Sequence, residues 1–308
     1  MPRATWIMTT AAITLTACSV APASHQLNAA ARTPASRPAV ASRPTAAPAS
    51  TPASTVAPAV VAAADATVPP RLPHSPHGRP GRFRPTASGV LDGKTVLVDP
   101  GHNGGNFEAA SVINQLIWNG RESETCDTTG AQTGSGYTEA QFNWNVARYL
   151  TADLRAAGAT VVLTRTSNTG VGPCVTERAA LGNQAHASAA VSIHADGGPP
   201  AGRGFAILEP VADGINNAII GPSARLGTDL RNAFAAGTGE PVSSYDGSNG
   251  IQPRNDLAGI NLSTVPKVFI ECANMRNPTD AALITSPTWQ AKAARAIAAG
   301  LTRFLTHH

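Results

Sequence analysis

From about residue 89 onward the chain alternates short apolar runs with helical patterns, and this alternation predicts an α/β fold. The first run, TVLV at residues 95–98, is continuous and β-branched, as in a strand that is buried on both faces. A capping box, TEAQ at residues 138–141, then opens an amphipathic helix. The sequence therefore predicts a single α/β domain over residues 89–308.

The other elements follow in order along the chain. The helix that begins after Thr138 has an apolar stripe and ends at Gly158. We predict strands at 160–163, 190–193, 204–208 and 267–272, and helices at 175–187, 223–236 and 288–304. The segments 103–137 and 237–256 are predicted to be long loops, which often carry function.

The N-terminus has the pattern of an export signal over residues 1–17. Arg3 precedes a mostly apolar run that is too short for a stable membrane span. The run closes with LTAC at residues 15–18, which resembles a bacterial lipoprotein box, so we predict lipidation of Cys18. The alternative is an ordinary signal that is cleaved after Ala23. Both interpretations place the protein outside the cytoplasm, on the outer face of the membrane or in a periplasm-like space.

Residues 18–88 are dominated by Ala, Pro, Ser, Thr and Arg and contain almost no large apolar residues. Such a segment cannot offset the entropy of ordering, so we predict a disordered tether. The alternative is a recognition segment for a proline-binding module.

Charge is distributed unevenly between the two parts of the chain. Residues 1–88 contain eight arginines against one acid, whereas the rest has 15 basic and 18 acidic residues. Because the predicted domain lacks a basic excess, nucleic acid is not an expected partner. The basic segment suits an anionic surface, such as lipid headgroups or wall polymers. The alternative is that arginine only keeps the segment soluble.

Three cysteines remain if Cys18 carries lipid. Cys126 and Cys174 lie in loops, and loop cysteines in an oxidising compartment usually pair. A bridge across 48 residues would stabilise the fold by roughly 4 kcal/mol in the chain-entropy model. Cys272 ends an apolar strand and is expected to be a buried free thiol.

Four polar residues lie at predicted strand ends or at a helix start: His102, Glu139, His194 and Glu271. Two imidazoles and one carboxylate form a three-ligand set that suits Zn²⁺, and a second carboxylate can then act as base. In open α/β sheets ligands collect at the carboxyl ends of strands, where such residues can converge. This pattern predicts a metal-assisted amide hydrolase.

Each of these residues also has an ordinary structural interpretation. A histidine at a strand end is often only a hydrogen-bonding group, and a glutamate in a first helical turn often only complements the helix dipole. Glu271 is harder to explain this way, because a carboxylate that closes an apolar strand needs a partner.

The segments DPGHNGG at 99–105, Glu139, SIHAD at 192–196 and IE at 270–271 resemble, in this order, the zinc-dependent N-acetylmuramoyl-L-alanine amidases of the amidase-3 type. The resemblance runs from about Thr95 to the C-terminus. It implies a twisted, mostly parallel sheet flanked by helices, one Zn²⁺ per chain, and cleavage of the bond between N-acetylmuramic acid and L-alanine. It also implies that His102, Glu139 and His194 are the metal ligands and that Glu271 is the catalytic glutamate. Arg165 and Arg178 lie where relatives often have a basic residue, and we assign them no role.

The chain departs from that family pattern in two respects. The stretch from Asn106 to Tyr137 is long and contains Cys126, and we interpret it as a hairpin that borders the cleft. The sequence shows neither a repeat-type wall-binding module nor a long helical insert after His194, so control by displacement of a blocking helix is not expected. Dinucleotide, P-loop, nucleophile-elbow and HExxH motifs are also absent from the sequence.

The leading hypothesis is a zinc amidase of the cell envelope that acts as a monomer on peptidoglycan or muropeptides. One alternative is a zinc peptidase that cuts within the stem peptide, and another is a catalytically silent wall-binding lipoprotein. The intact Glu271 argues against the silent protein, because a binding module needs no base beside a metal.

Overall fold

Eight strands and seven α-helices lie within residues 89–308, the part of the chain that the computed structural model describes. The predicted signal peptide, Cys18 and the predicted tether lie outside these residues. The strands are β1 Thr95–Pro100, β2 Leu116–Trp118, β3 Ser123–Thr125, β4 Thr160–Leu163, β5 Ala189–Asp196, β6 Ala206–Pro210, β7 Ile251–Arg254 and β8 Lys267–Asn274. The helices are α1 Ala110–Ile113, α2 Glu139–Ala156, α3 Val175–Gln184, α4 Ile220–Thr238, α5 Ala258–Asn261, α6 Pro278–Ile284 and α7 Pro287–His307.

Six of the strands form one sheet in the order β4-β1-β5-β8-β6-β7. The first four run parallel, whereas β6 is antiparallel to β8 and parallel to β7. The predicted fold class, a mostly parallel sheet flanked by helices, is therefore confirmed. β2 and β3 form a separate antiparallel hairpin within the long 103–137 segment.

Both faces of the central sheet are covered, which explains the continuous apolar run at residues 95–98. Val96, Leu97 and Val98 are completely buried, and alternate residues contact opposite layers. Val96 and Val98 belong to the large core formed with α2, α4 and α7. Leu97 belongs to a smaller cluster on the other face, where α3 and α5 lie.

The structure contains elements that the sequence did not predict. β7 lies inside the predicted loop 237–256 and contains Pro253, which a strand at the edge of a sheet tolerates. α6 begins at Pro278, after Asn277 caps its first backbone N–H groups. None of the helices in residues 89–308 combines the length and apolar character that crossing a membrane requires.

The parallel arrangement sets the position of the polar residues. β1, β5 and β8 are neighbours, so their carboxyl ends meet at one edge of the sheet. His102 follows β1, while His194 and Glu271 lie near the ends of β5 and β8. The N-terminus of α2 reaches the same edge and carries Glu139 as its first residue.

Candidate metal centre

His102, Glu139 and His194 come together as the sequence predicted. Oε1 of Glu139 lies 3.2 Å from Nε2 of His102 and 2.9 Å from Nδ1 of His194. One potential ligand atom from each residue lies within 4.8 Å of the other two. Two imidazole nitrogens and a carboxylate oxygen at this spacing form a donor set that fits Zn²⁺.

Glu139 is held firmly in this position by the backbone around it. Its Oε2 accepts a hydrogen bond from the Ala131 N–H at 2.7 Å, and its Oε1 accepts one from the Ala195 N–H at 3.2 Å. Thr138 caps α2 by accepting from the Gln141 N–H, as the capping box predicted. The carboxylate is buried, so its orientation is fixed before any ligand binds.

Glu139 and His102 are close to each other, and each strongly shifts the pKa of the other. Burial would raise the pKa of Glu139, but His102 and His194 hold it well below its usual range. Burial would lower the pKa of His102, but Glu139 and Asp127 raise it to about 10. In the metal-free protein the carboxylate and the His102 imidazolium therefore stabilise each other, and a bound cation would replace the imidazolium proton.

Glu271 lies beside this centre without belonging to it. It is the direct register partner of His194 across β5 and β8. Its Oε2 is buried and has no hydrogen-bond partner within residues 89–308. Burial, together with the carboxylates of Glu139 and Asp196, raises the pKa of Glu271 well above its usual range.

Two backbone features bring the chain close to these side chains. His102 adopts a left-handed backbone conformation with φ of 55°, which is rare for a residue with a side chain. Gly130, with φ of 73°, lies so close that an added Cβ would be 2.7 Å from Cδ2 of His102 and 2.9 Å from Oε2 of Glu139. Only glycine therefore fits at residue 130.

Asp127 also contacts His102, and sequence reasoning missed it. Its Oδ1 lies 3.1 Å from Nδ1 of His102, on the side of the ring opposite Glu139. Asn103 and Arg178 donate to its other oxygen at 3.1 and 3.3 Å. The available signal was its position directly after Cys126, but nothing in the sequence connects that segment to residue 102.

Below the centre lies a buried polar cluster that sequence reasoning also missed. Asp99 accepts hydrogen bonds from Lys267 at 3.1 Å, Arg178 at 2.9 Å and Thr164 at 2.7 Å, and also from Ser192. Burial would raise the pKa of Asp99, but the Lys267 and Arg178 cations hold it far below its usual range. These contacts tie β1, β5, β8 and α3 together directly beneath the site.

The two arginines without a predicted role are structural. Arg165 is buried and donates to the carbonyl oxygens of Pro100, Gly101 and Ala140, at distances between 2.9 and 3.3 Å. It thereby joins the turn after β1 to the first turn of α2. Arg178 donates to the carbonyl oxygens of Pro100 and His102 as well as to the two aspartates.

The predicted disulfide is present between Cys126 and Cys174, whereas Cys272 is a buried free cysteine. The hairpin formed by β2 and β3 borders the site, as the sequence predicted. Glu124 and Thr125 line a pocket that also contacts His102 and His194. At its tip, Asn119 donates to the carbonyl oxygen of Asp256, which anchors the hairpin on the opposite wall.

The cleft above the centre is lined by both polar and apolar residues. His102, Glu139, His194 and Glu271 all line it, and further lining residues are Thr128, Asp196, Arg254, Leu208 and Phe269. An extended polar substrate can therefore reach the potential ligands and the unpartnered oxygen of Glu271 from the same side.

Comparisons with known proteins identify the family that the chain resembles. Residues 96–303 match the family model described as Amidase_3: N-acetylmuramoyl-L-alanine amidase. The chain is 39% identical over 215 residues to an N-acetylmuramoyl-L-alanine amidase of Mycobacterium tuberculosis, with 70% of this chain and 88% of the relative covered.

Two crystal structures of N-acetylmuramyl-L-alanine amidases are similar along almost their whole length. The protein from Mycobacterium smegmatis superposes with a TM-score of 0.68 at 41% identity and covers 71% of this chain and 99% of its own. The protein from Mycobacterium abscessus gives a TM-score of 0.66 at 38% identity, with coverages of 70% and 100%.

Proposed function

The chain belongs to the Amidase_3 family of N-acetylmuramoyl-L-alanine amidases, and on that premise we propose how its residues perform the hydrolysis. The substrate is peptidoglycan or a muropeptide, and the amide between N-acetylmuramic acid and L-alanine is cleaved. His102, Glu139 and His194 hold one Zn²⁺, and Glu271 is the general base.

The donor chemistry of the three ligands supports zinc. Two neutral imidazoles with one carboxylate suit Zn²⁺ better than Mg²⁺, which prefers oxygen ligands. When bound, Zn²⁺ polarises a carbonyl group and makes water more acidic. The pKa of His102, raised to about 10 in the metal-free protein, means that metal binding must release a proton from this ring.

The register pairing of His194 with Glu271 is the single observation that carries the mechanism. It places the unpartnered Oε2 beside the ligand set, where the carboxylate can take a proton from the attacking water. The raised pKa of Glu271 opposes its ionisation in the metal-free protein, and a cation held by His102, Glu139 and His194 would favour the ionised form. The same carboxyl group then returns the proton to the departing amine of L-alanine.

The test combines a base variant with product analysis. Glu271→Gln keeps the shape of the side chain but removes the base, so we expect turnover to fall by about 10²–10⁴-fold with one zinc still bound. The matched control is Glu108→Gln at an exposed position, which should leave turnover and zinc content unchanged. Turnover within twofold of wild type in Glu271→Gln would overturn the role of Glu271.

Mass analysis of the products identifies the bond that is cut. We expect an intact stem peptide with L-alanine at its free N-terminus and a sugar that carries a free lactyl carboxylate. Fragments cut inside the stem peptide would instead show a peptidase. Removal of zinc by a chelator should abolish hydrolysis, and added Zn²⁺ should restore it.

A wall substrate agrees with the export signal predicted at residues 1–17. We propose that Cys18 is lipidated and that the amidase works as a monomer at the outer face of the membrane. Labelling of cells with a fatty-acid analogue should mark the wild-type protein and not Cys18→Ala. Equal labelling of both proteins would exclude Cys18 as the lipidated residue.

A further inference from the structure

We infer that Asp127 is a positioning residue of the metal centre: it fixes which nitrogen of His102 carries a proton, and the Cys126–Cys174 disulfide holds it in place. The inference rests on the zinc site of the proposed function. It adds a residue outside the ligand set and links a covalent bridge to metal binding.

The hydrogen-bond pattern around His102 determines its tautomer. Nδ1 lies 3.1 Å from Oδ1 of Asp127 and 3.2 Å from the carbonyl oxygen of Thr128, and both of these atoms are acceptors. Nδ1 must therefore carry the proton. Nε2, on the other side of the ring, faces Oε1 of Glu139 at 3.2 Å, and the proton that it carries in the metal-free imidazolium is the one that a bound metal would replace.

Asp127 is itself held by groups that act on the His102 backbone. Its Oδ2 accepts from Asn103, the next residue in the chain, and from Arg178. Arg178 also donates to the carbonyl oxygen of His102 at 3.1 Å. One carboxylate and one guanidinium thus fix both the ring of His102 and its left-handed backbone.

The disulfide joins the two segments that supply these groups. Cys126 precedes Asp127 in the chain, and Cys174 caps α3, the helix that carries Arg178. The N–H of Val175 donates to the carbonyl oxygen of Cys126 at 2.9 Å, beside the bridge. The bridge therefore holds Asp127, which lies in an irregular stretch after β3, against the helix that carries Arg178.

Loss of Asp127 should weaken zinc binding. In Asp127→Ala the His102 ring is free to present the wrong nitrogen, and outer partners of zinc ligands typically contribute 10–100-fold to affinity. We expect an increase of this size in the zinc dissociation constant, measured by competition with a chromophoric chelator. Asp127→Asn retains an oxygen acceptor for Nδ1–H and should lose about fivefold or less.

The matched control is Asn119→Ala. Asn119 lies in the same segment, but its side chain donates to the carbonyl oxygen of Asp256 at 3.2 Å and makes no hydrogen bond to His102, Glu139 or His194. The zinc affinity of this variant should remain within twofold of wild type. Equal weakening of zinc binding in Asp127→Ala and Asn119→Ala would mean that the effect comes from general loosening of the segment, and it would overturn the inference.

The disulfide is tested with the pair Cys126→Ser and Cys174→Ser in one chain. This variant should also bind zinc more weakly, and adding Asp127→Ala to it should have less effect than in the wild-type chain, because the two changes act on one contact. If the disulfide variant and Asp127→Ala weaken zinc binding independently, so that their factors multiply, the disulfide does not act through Asp127.

A spectroscopic readout covers the case in which Asp127→Ala does not fold. Long-range ¹⁵N–¹H correlations of the zinc-loaded wild-type protein should show His102 protonated at Nδ1, whereas a metal-bound Nδ1 would overturn the inference. A wild-type protein that binds no zinc would overturn the proposed metal site itself, and the inference with it.

Discussion

The backbone of Gly130 lies closer to His102 and Glu139, two of the proposed zinc ligands, than any residue with a side chain could. Gly130→Ala would place a methyl group against His102 and Glu139, at a backbone position with φ of 73°. We expect a loss of about 1 kcal/mol of stability from the backbone conformation and, in addition, roughly tenfold weaker zinc binding. Urea unfolding and chelator competition measure the two effects separately.

Gly136 provides the control for this prediction. It lies in the same loop with φ of 84°, but an added Cβ would meet nothing within 4 Å. Gly136→Ala should therefore show the stability loss without the loss of zinc affinity. If both variants bind zinc equally well, the close approach of Gly130 does not shape the site.

Glu209 gives a pH dependence that is independent of the metal centre. Its side chain on β6 lies against Gly227 of α4, and burial raises its pKa to about 7. The folded state therefore resists ionisation of this carboxyl group. Below about pH 4.5 this carboxyl group does not change the free energy of unfolding. Between pH 4.5 and 7 it lowers the free energy of unfolding progressively, and above pH 7 the full loss is reached.

Glu209→Gln should remove this penalty. We expect its free energy of unfolding to exceed that of wild type by about 1 kcal/mol at pH 8, a value reduced to allow for the partial exposure of the group. At pH 4.5 the two proteins should differ little. A constant difference between Glu209→Gln and the wild type at both pH values would contradict the assignment.

At the scale of elements, the strands and helices that could be predicted are those whose pattern is complete within a short stretch of sequence. The buried run at residues 95–98 and the capping box at 138–141 required no knowledge of distant residues, and both are present as β1 and α2. The four central site residues were predictable for a related reason. Strand ends at one edge of a parallel sheet converge, so local assignments were sufficient to group them.

Elements that depend on distant partners were not predicted. β7 contains Pro253 and little apolar sequence, and it exists because its strand partner β6 is already in place. The reversed direction of β6 has no sequence signal at all. For the same reason the role of Asp127 was hidden, because its partners His102 and Arg178 lie 25 and 51 residues away.

At the scale of the whole molecule, the proposed catalytic residues and the excess of positive charge lie in different parts of the chain. The cleft and both layers of helices that cover the sheet lie within residues 89–308, which have three more acidic than basic residues. Residues 19–88 carry seven arginines and one acid. Binding to an anionic surface and hydrolysis should therefore be separable.

A comparison of unlipidated chains tests this separation. Residues 19–308 and 89–308 should hydrolyse a soluble muropeptide at rates within about twofold, because the shorter chain retains the entire site. Binding to vesicles that contain phosphatidylglycerol should weaken at least about tenfold without residues 19–88, since each cation near such a surface contributes up to about 1 kcal/mol. High salt should remove the difference, because it screens these charges.

Charge and length can be distinguished by replacing the seven arginines with glutamine in the longer chain. If attraction to the surface is electrostatic, this variant should bind vesicles as weakly as residues 89–308 do, although its length is unchanged. Binding equal to that of the unmodified 19–308 chain would show that arginine serves only solubility. A fall in muropeptide turnover in the 89–308 chain would mean that the N-terminal segment contributes to the catalytic site, and the separation would then fail.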